Sequence, residues 1–227
     1  MTNRGFQPFF TIQNHAGITT EANEGILSTN QLKVVILHNQ MQDLHQTQSQ
    51  MHYDNCAFRE GSQYIADEWS LIGHAGTNTG DVVLAAFGRL LHAVQDFYAH
   101  SNWVELHAQV KPIPVWDLAV ATLPSKIVSG TWSIGSPKRC AAGAPTHSQL
   151  NKDQASSQEG SVKVEQGPNA GATFFALARD CAVRASIEQL ARLQNGTHVG
   201  IIASHHAISD LSSELLTIAE RSQALRS

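Results

Sequence analysis

The chain has 227 residues, 42% of them hydrophobic and 15% charged, and a formal net charge of -4. That length can bury a sizeable core in one large or two small domains, and the acidic balance supplies no basic footprint for nucleic acid. Histidine is the over-represented residue, with twelve copies, so side chains able to take up protons or metal ions set the question.

Taken in order, the N-terminal MTNRGFQPFF lacks the apolar stretch of a secretory signal. No run approaches the roughly 18 apolar residues of a membrane span. The expectation is a cytoplasmic chain, or one exported by a route without a cleaved signal. Residues 1–14 read as an irregular arm carrying Phe6, Phe9 and Phe10. A helix is expected from about Asn14, its candidate cap, through ITTEANEGIL. A second is expected over Gln31–Gln46, where Leu32, Val35, Ile36, Met41 and Leu44 roughly follow helical spacing. A short loop then carries His52, Tyr53, Asp54 and Asn55, and a third helix is expected over 59–75.

The stretch from Asp81 through Asn102 is the centre of the chain. Asp81 suits a first helical turn, and Val83, Phe87, Leu91, Val94 and Tyr98 make an apolar series at helical spacing. His92, Asp96 and His100 stand at i, i+4 and i+8, so they project from one face. Burying two imidazoles and a carboxylate without a partner costs several kcal/mol or more. A bound cation suits all three, and zinc favours such ligands.

From Lys111 to Gly171 the character changes. Six of the seven prolines lie here, among many Gly and Ser, so a long irregular insertion is expected, functional or mobile. Helices are expected again at about 172–193 and 206–225. Cys56, Cys140 and Cys181 form no CxxC pair and read as small buried hydrophobes, not as a disulfide framework or a thiolate metal site. The organisation expected is all-α, a single domain over 1–227 with the insertion at about 111–171.

The phrase GRLLHAVQDFYAHSNWVEL, over Gly88–Leu106, resembles the signature of the Het-C family, named for heterokaryon incompatibility. HAGITTEA from His15, HYDNCAFREGSQYI from His52 and THSQLNKD from Thr146 fit in the same order. That family is similar to the helical zinc-dependent phospholipases C and single-strand nucleases. The resemblance implies a multi-helix bundle of the phospholipase C type holding two or three zinc ions. Carried over residue by residue, it implies metal ligands at His15, Asp43, His52, His92, Asp96, His100, His147 and Asp153, with Asp96 bridging. Asn151 stands where the phospholipases place a carboxylate, so the anionic ligand is either missing or supplied by Asp153. Asp43 and Asp54 compete for one acidic position, and both are candidates for the general base or water-orienting group. His38, His45, His74, His107, His198, His205 and His206 are expected to be structural or on the surface.

The activity this implies is phosphate-ester hydrolysis by a metal-activated water, cleaving glycerophospholipids as a phospholipase C does. The phospholipid substrate would bring transient contact with a membrane surface, with Trp116 and Trp132 on a candidate lid or interfacial loop. The alternatives are a nuclease or phosphomonoesterase on the same metals, or a non-catalytic incompatibility or toxin-like module with structural zinc. Nucleic acid is the weaker substrate, because single-strand nucleases need aromatic platforms beside a cationic groove.

Overall fold

The computed structural model describes residues 12–75 and 80–196, and the expected helix at 206–225 lies outside them, as do Phe6, Phe9, Phe10, His198, His205 and His206. Within them the protein is all-α. Eight helices run in the order α1 (Ile12–Ala22), α2 (Thr29–Gln40), α3 (Ser49–His52), α4 (Phe58–His74), α5 (Gly80–His100), α6 (Trp103–Leu106), α7 (His147–Leu150) and α8 (Phe174–Asn195). No strand ladder forms among the described residues; isolated bridges such as Ser101–Ser129 and Thr131–Thr146 pin the irregular region in place.

The helices begin and end where local chemistry dictates. Ser28 and Gln31 form a reciprocal capping box that starts α2, and the Thr173 hydroxyl accepts the Ala176 amide at the head of α8. α1 stops at Ala22, earlier than its polar pattern suggests, because Glu24 and Gly25 adopt positive φ of 42° and 80°. α2 likewise gives way after Gln40 to a tighter 3-10 turn, Met41–Leu44, which carries Asp43. Asn14 is not a cap; it lies inside α1 and donates to the Asp153 carbonyl at 2.7 Å.

α5 is the central rod, packed between α2, α4 and α8. Val83, Phe87, Leu91, Val94 and Tyr98 are all buried, as the apolar series predicts. Gly88 lets α2 come close: a Cβ there would run into the Val35 carbonyl. The aromatic side of the rod centres on Phe97, stacked on Trp116 with ring centroids 4.3 Å apart and met edge-on by Tyr53 and Tyr98. Trp116, expected on a lid, is therefore a core residue, 2% exposed, and its amide donates to the Tyr98 hydroxyl. An indole this large contributes more inside the aromatic cluster than at a surface.

The insertion is irregular as expected, yet it is packed onto the carboxyl end of α5. Helix ends leave carbonyls without intrahelical partners. Here the Gly130 amide donates to the His100 carbonyl at 3.0 Å and the Lys152 amide to the Ala99 carbonyl at 2.9 Å. Lys152 is fully buried, and its Nζ donates to the Ser101 and Leu150 carbonyls and to Glu105 Oε1, at 2.7–3.0 Å. A cation at a helix C-terminus is favourable, and the Glu105 carboxylate offsets its desolvation.

The cysteine expectation is corrected for two of the three. Cys56 and Cys140 form a disulfide across 84 positions, while Cys181 is free and buried. The bond joins the loop after α3 to the insertion, a proximity that the spacing of three scattered cysteines does not contain. No helix among the described residues is long and apolar enough to cross a membrane.

Candidate metal centre

The polar face of α5 presents His92, Asp96 and His100 with no exposed surface at all. Around Asp96 the other elements deliver their own donors. His15 of α1 places Nε2 3.2 Å from Asp96 Oδ1. His52, the last residue of α3, and His92 each place a ring nitrogen 3.0 Å from Asp96 Oδ2. His52 Nδ1 and His92 Nε2 are 3.1 Å apart. Two donors on one tetrahedral zinc at 2.0–2.1 Å sit roughly 3.3 Å apart, so these spacings are those of ligands converging on shared points.

A second group lies one turn further along. His147 Nδ1 is 2.9 Å from Asp54 Oδ1. His100 Nε2 is 3.0 Å from Asp153 Oδ1, and His147 Nε2 is 3.6 Å from Asp153 Oδ2. His147 opens α7, whose own capping box is built by Thr146 and Gln149. Gly130 lies against it so closely that a Cβ would stand 2.5 Å from the His147 Cα. Three triads have donor atoms within 4.8 Å of one another: His15–Asp43–His92, His52–His92–Asp96 and Asp54–His100–His147.

Every expected ligand is thus brought to one region. Asp43 lies in the triad with His15 and His92, and Asp54 in the one with His100 and His147. Asp153 reaches both imidazoles of the second group, whereas the Asn151 side-chain oxygen has no hydrogen-bond partner. His45 and His74 are exposed and His38 and His107 half-buried, none of them in a triad. Trp132, the remaining aromatic of the expected lid, is half-buried with its ring 5.2 Å from that of His147.

A layer of neutral amides and carbonyls orients the rings. His15 Nδ1 donates to Gln95 Oε1 at 2.7 Å, His92 Nδ1 to Asn39 Oδ1 at 3.3 Å, and His100 Nδ1 to the His52 carbonyl at 2.8 Å. Each such bond fixes the tautomer and leaves the Nε2 lone pair facing inward, as metal-ligating histidines require. Gln95 and Asn39 are themselves held, Gln95 by Thr19 and Ser186 at 3.0 and 3.1 Å, and Asn39 by Gln95 at 3.2 Å. Sequence reading missed this layer. Gln95 follows the apolar stripe by one position, and only its place beside Asp96 in an otherwise buried helix hinted at a role.

The electrostatics match a site short of positive charge. Burial opposes ionisation of Asp96, yet the surrounding His92, His100 and His15 hold its carboxyl well below the usual range. Burial would lower His100, but Asp96, Asp153 and Asp54 raise it well above its ordinary value. His15 and His147 are also raised, against burial, chiefly by Asp96 and Asp54 respectively. His92 goes the other way, to about 3, because burial dominates and neighbouring imidazoles add to it. Burial pushes Asp43 up to about 6, and neither of its oxygens has a hydrogen-bond partner. Four carboxylates and five imidazoles therefore share charge that protons satisfy only in part. The donor set fits a cluster of nitrogen- and oxygen-liganded cations.

Residues 11–122 match the family model described as the VWA7 N-terminal domain. The match spans just under half of the chain and takes in His15, Asp43, His52, Asp54, His92, Asp96 and His100, but not His147 or Asp153. No curated protein and no solved structure matches the chain.

Proposed function

We propose that this protein is a zinc-dependent hydrolase of phosphate esters, cleaving glycerophospholipids in the manner of a phospholipase C, as its resemblance to the Het-C family implies. One observation carries the reading: a fully buried carboxylate, Asp96, has imidazole nitrogens at 3.0–3.2 Å from both of its oxygens, arriving from three separate helices. A purely structural hydrogen-bond network has no need of five histidines there. Asp96 would bridge two ions, with His15, His52, His92 and Asp43 on one side and His100, His147, Asp54 and Asp153 on the other. Bound zinc supplies Lewis acidity toward phosphoryl oxygens and brings the pKa of water to about 7.

The chain's own groups complete the chemistry. Asp43, whose oxygens have no hydrogen-bond partner, is the carboxylate that would take the proton of a water attacking phosphorus. Asp54 Oδ1 accepts from His147 Nδ1 in the metal-free protein, and the same carboxylate is a candidate ligand of the second ion. Asn39 and Gln95 hold their imidazoles in the ligating tautomer.

The test is metal analysis combined with hydrolysis of phosphatidylcholine vesicles, a soluble phosphodiester and single-stranded DNA. Zinc at two or three equivalents, with chelator-sensitive release of a phosphorylated head group, is expected. Preferential cleavage of DNA would shift the reading to the nuclease alternative, and turnover that survives Asp96→Asn would end it. Complete burial of His15, His92, Asp96 and His100 favours one further reading, a non-catalytic module whose ions only hold the fold. In that case zinc binds stoichiometrically and stabilises the chain, with no turnover of any ester.

A further inference from the structure

The two segments that build the Asp54–His147 side of the centre are joined by the Cys56–Cys140 bond. On one side, Asp54 lies in a turn where Tyr53, Asn55 and Cys56 have φ of 53°, 56° and 56°. Residues with a Cβ seldom occupy that left-handed region, and the surrounding structure must hold them there. On the other side, the insertion grips this turn through its backbone. The Asn55 carbonyl accepts the Arg139 and Cys140 amides at 2.8 and 3.1 Å, and the Asn55 amide donates to the Gly130 carbonyl at 2.8 Å. Gly130 in turn packs on His147. The disulfide closes the end of this clamp.

The bond is also within reach of a reagent. Both cysteines are half-buried, and Cys56 lines a cavity of about 630 Å³ with Phe58, Val120, Leu123, Arg59 and Arg139. Arg59 is exposed, and Arg139, paired with Glu60 at 2.7 Å, is more than half exposed. Glu60 also lines the cavity and offsets Arg139, which leaves an excess of one guanidinium; that excess favours approach of an anionic thiolate, the attacking species in disulfide exchange.

We propose that Cys56–Cys140 is a thiol–disulfide exchange site for a dithiol, and that the oxidised bond is what completes the Asp54–His147 half of the metal centre. The thiolate of the dithiol attacks Cys56 Sγ, forming a mixed disulfide as the Cys56–Cys140 bond breaks and Cys140 leaves as a thiolate that takes up a proton. The dithiol's second sulfur then displaces Cys56, which is protonated in turn. The protein gains two electrons and two protons, and the dithiol becomes a disulfide. With the crosslink open, the left-handed turn relaxes and Asp54 separates from His147. The centre is then complete only in chains that have met an oxidising compartment, where such bonds persist.

The metal-binding part rests on the reading above; the structural part does not. Metal-free wild-type protein is reduced with dithiothreitol under native conditions, desalted without oxygen and loaded with zinc, beside untreated protein and the C56S/C140S variant. Two new thiols should appear beyond the buried Cys181, and the amides of residues 55, 139 and 140 should exchange with solvent at least tenfold faster. Reduced protein and variant should each hold one zinc fewer than oxidised protein, and re-oxidation should restore it to the wild type alone. A bond that resists dithiothreitol until the protein unfolds, or amide exchange unchanged by reduction, overturns the proposal. If the oxidised protein takes no zinc, the proposed function fails while the exchange rates still decide the clamp.

Discussion

The two halves of the candidate centre are built by different means. Around Asp96 the imidazoles stand on helices, and the side-chain amides of Asn39 and Gln95 hold two of them. Around Asp54 only His100 stands on a long helix; the other donors come from a left-handed turn, a one-turn helix and the chain after it, held by a disulfide, a buried lysine and backbone bonds to the end of α5. The helical half is specified by packing that the whole core enforces. The other half depends on a few named restraints, each removable by one or two substitutions, so loss of either half is separable by experiment.

The largest effect should come from the residue both halves share. Asp96→Asn keeps the shape but removes the charge that three imidazoles face, and we expect hydrolysis to fall on the order of 10³-fold, as when a preorganised electrostatic group is lost. Both ion positions should weaken together in a zinc titration. If only one weakens, Asp96 belongs to a single half and does not bridge.

Lys152→Met breaks the comparison on the irregular side. It leaves the Ser101 and Leu150 carbonyls and Glu105 without the ammonium that satisfies them. Buried groups stripped of partners cost ~1–3 kcal/mol each, although Glu105 has partial access to water. A loss of about 3 kcal/mol in chemical denaturation is expected, with Asp153 and His147 released while His15 and His92 keep their ion. Equal loss of both ions would show that the halves fold as one unit.

Asn39→Ala tests the helical side in the same way. Removing a group that orients a ligating histidine typically costs 10- to 100-fold in metal affinity. The cost should fall on the His92 position and leave the Asp54 position within a factor of two or so of wild type.

Why one half was readable and the other only in part follows from how each is encoded. Periodicity fixes which residues share a helix face, so His92, Asp96 and His100, together with the apolar series from Val83 to Tyr98, could be placed from spacing alone. His15, His52, His147 and Asp153 are brought in by tertiary packing, and only a resemblance assigned them. The disulfide was misread because a sequence separation of 84 says nothing about proximity. Trp116 was misread because an indole in a proline-rich stretch looks the same whether it faces solvent or stacks on Phe97. The Gln95–Asn39 layer was invisible because amides on a buried face have no motif.

Protons sharpen the comparison further. His100 and His147 are both raised in the metal-free protein, so zinc must displace protons from each; in the other half His15 is raised but His92, at about 3, is already neutral. Each displaced proton makes affinity tenfold weaker per unit fall in pH. Between about pH 6, above which Asp43 is ionised, and the raised values of His100 and His147, the Asp54 position should therefore lose affinity more steeply than the His92 position; below about pH 6, Asp43 adds a second proton to the other half. The metal-free protein should show the converse sign. A histidine raised on folding stabilises fully below its unfolded value of about 6.5, and that contribution disappears as pH rises through the folded value. Chelator-treated protein should lose stability on going from mildly acidic to alkaline pH, and zinc should reverse the trend.

Asn14→Ala is the smallest and most local test. The Asn14 amide donates to the Asp153 carbonyl at 2.7 Å, the one side-chain hydrogen bond described between α1 of the helical half and the segment that carries Asp153. Its removal should cost about 1 kcal/mol, which corresponds to less than tenfold in the affinity of the second ion. The His92 position, whose donor side chains are not hydrogen-bonded to the Asn14 side chain, should not change. Stepwise zinc titration read by competition with a chromophoric chelator resolves the two positions. If Asn14→Ala instead weakens the first ion, α1 is positioned by the insertion and not by the core, and the two halves are coupled through His15.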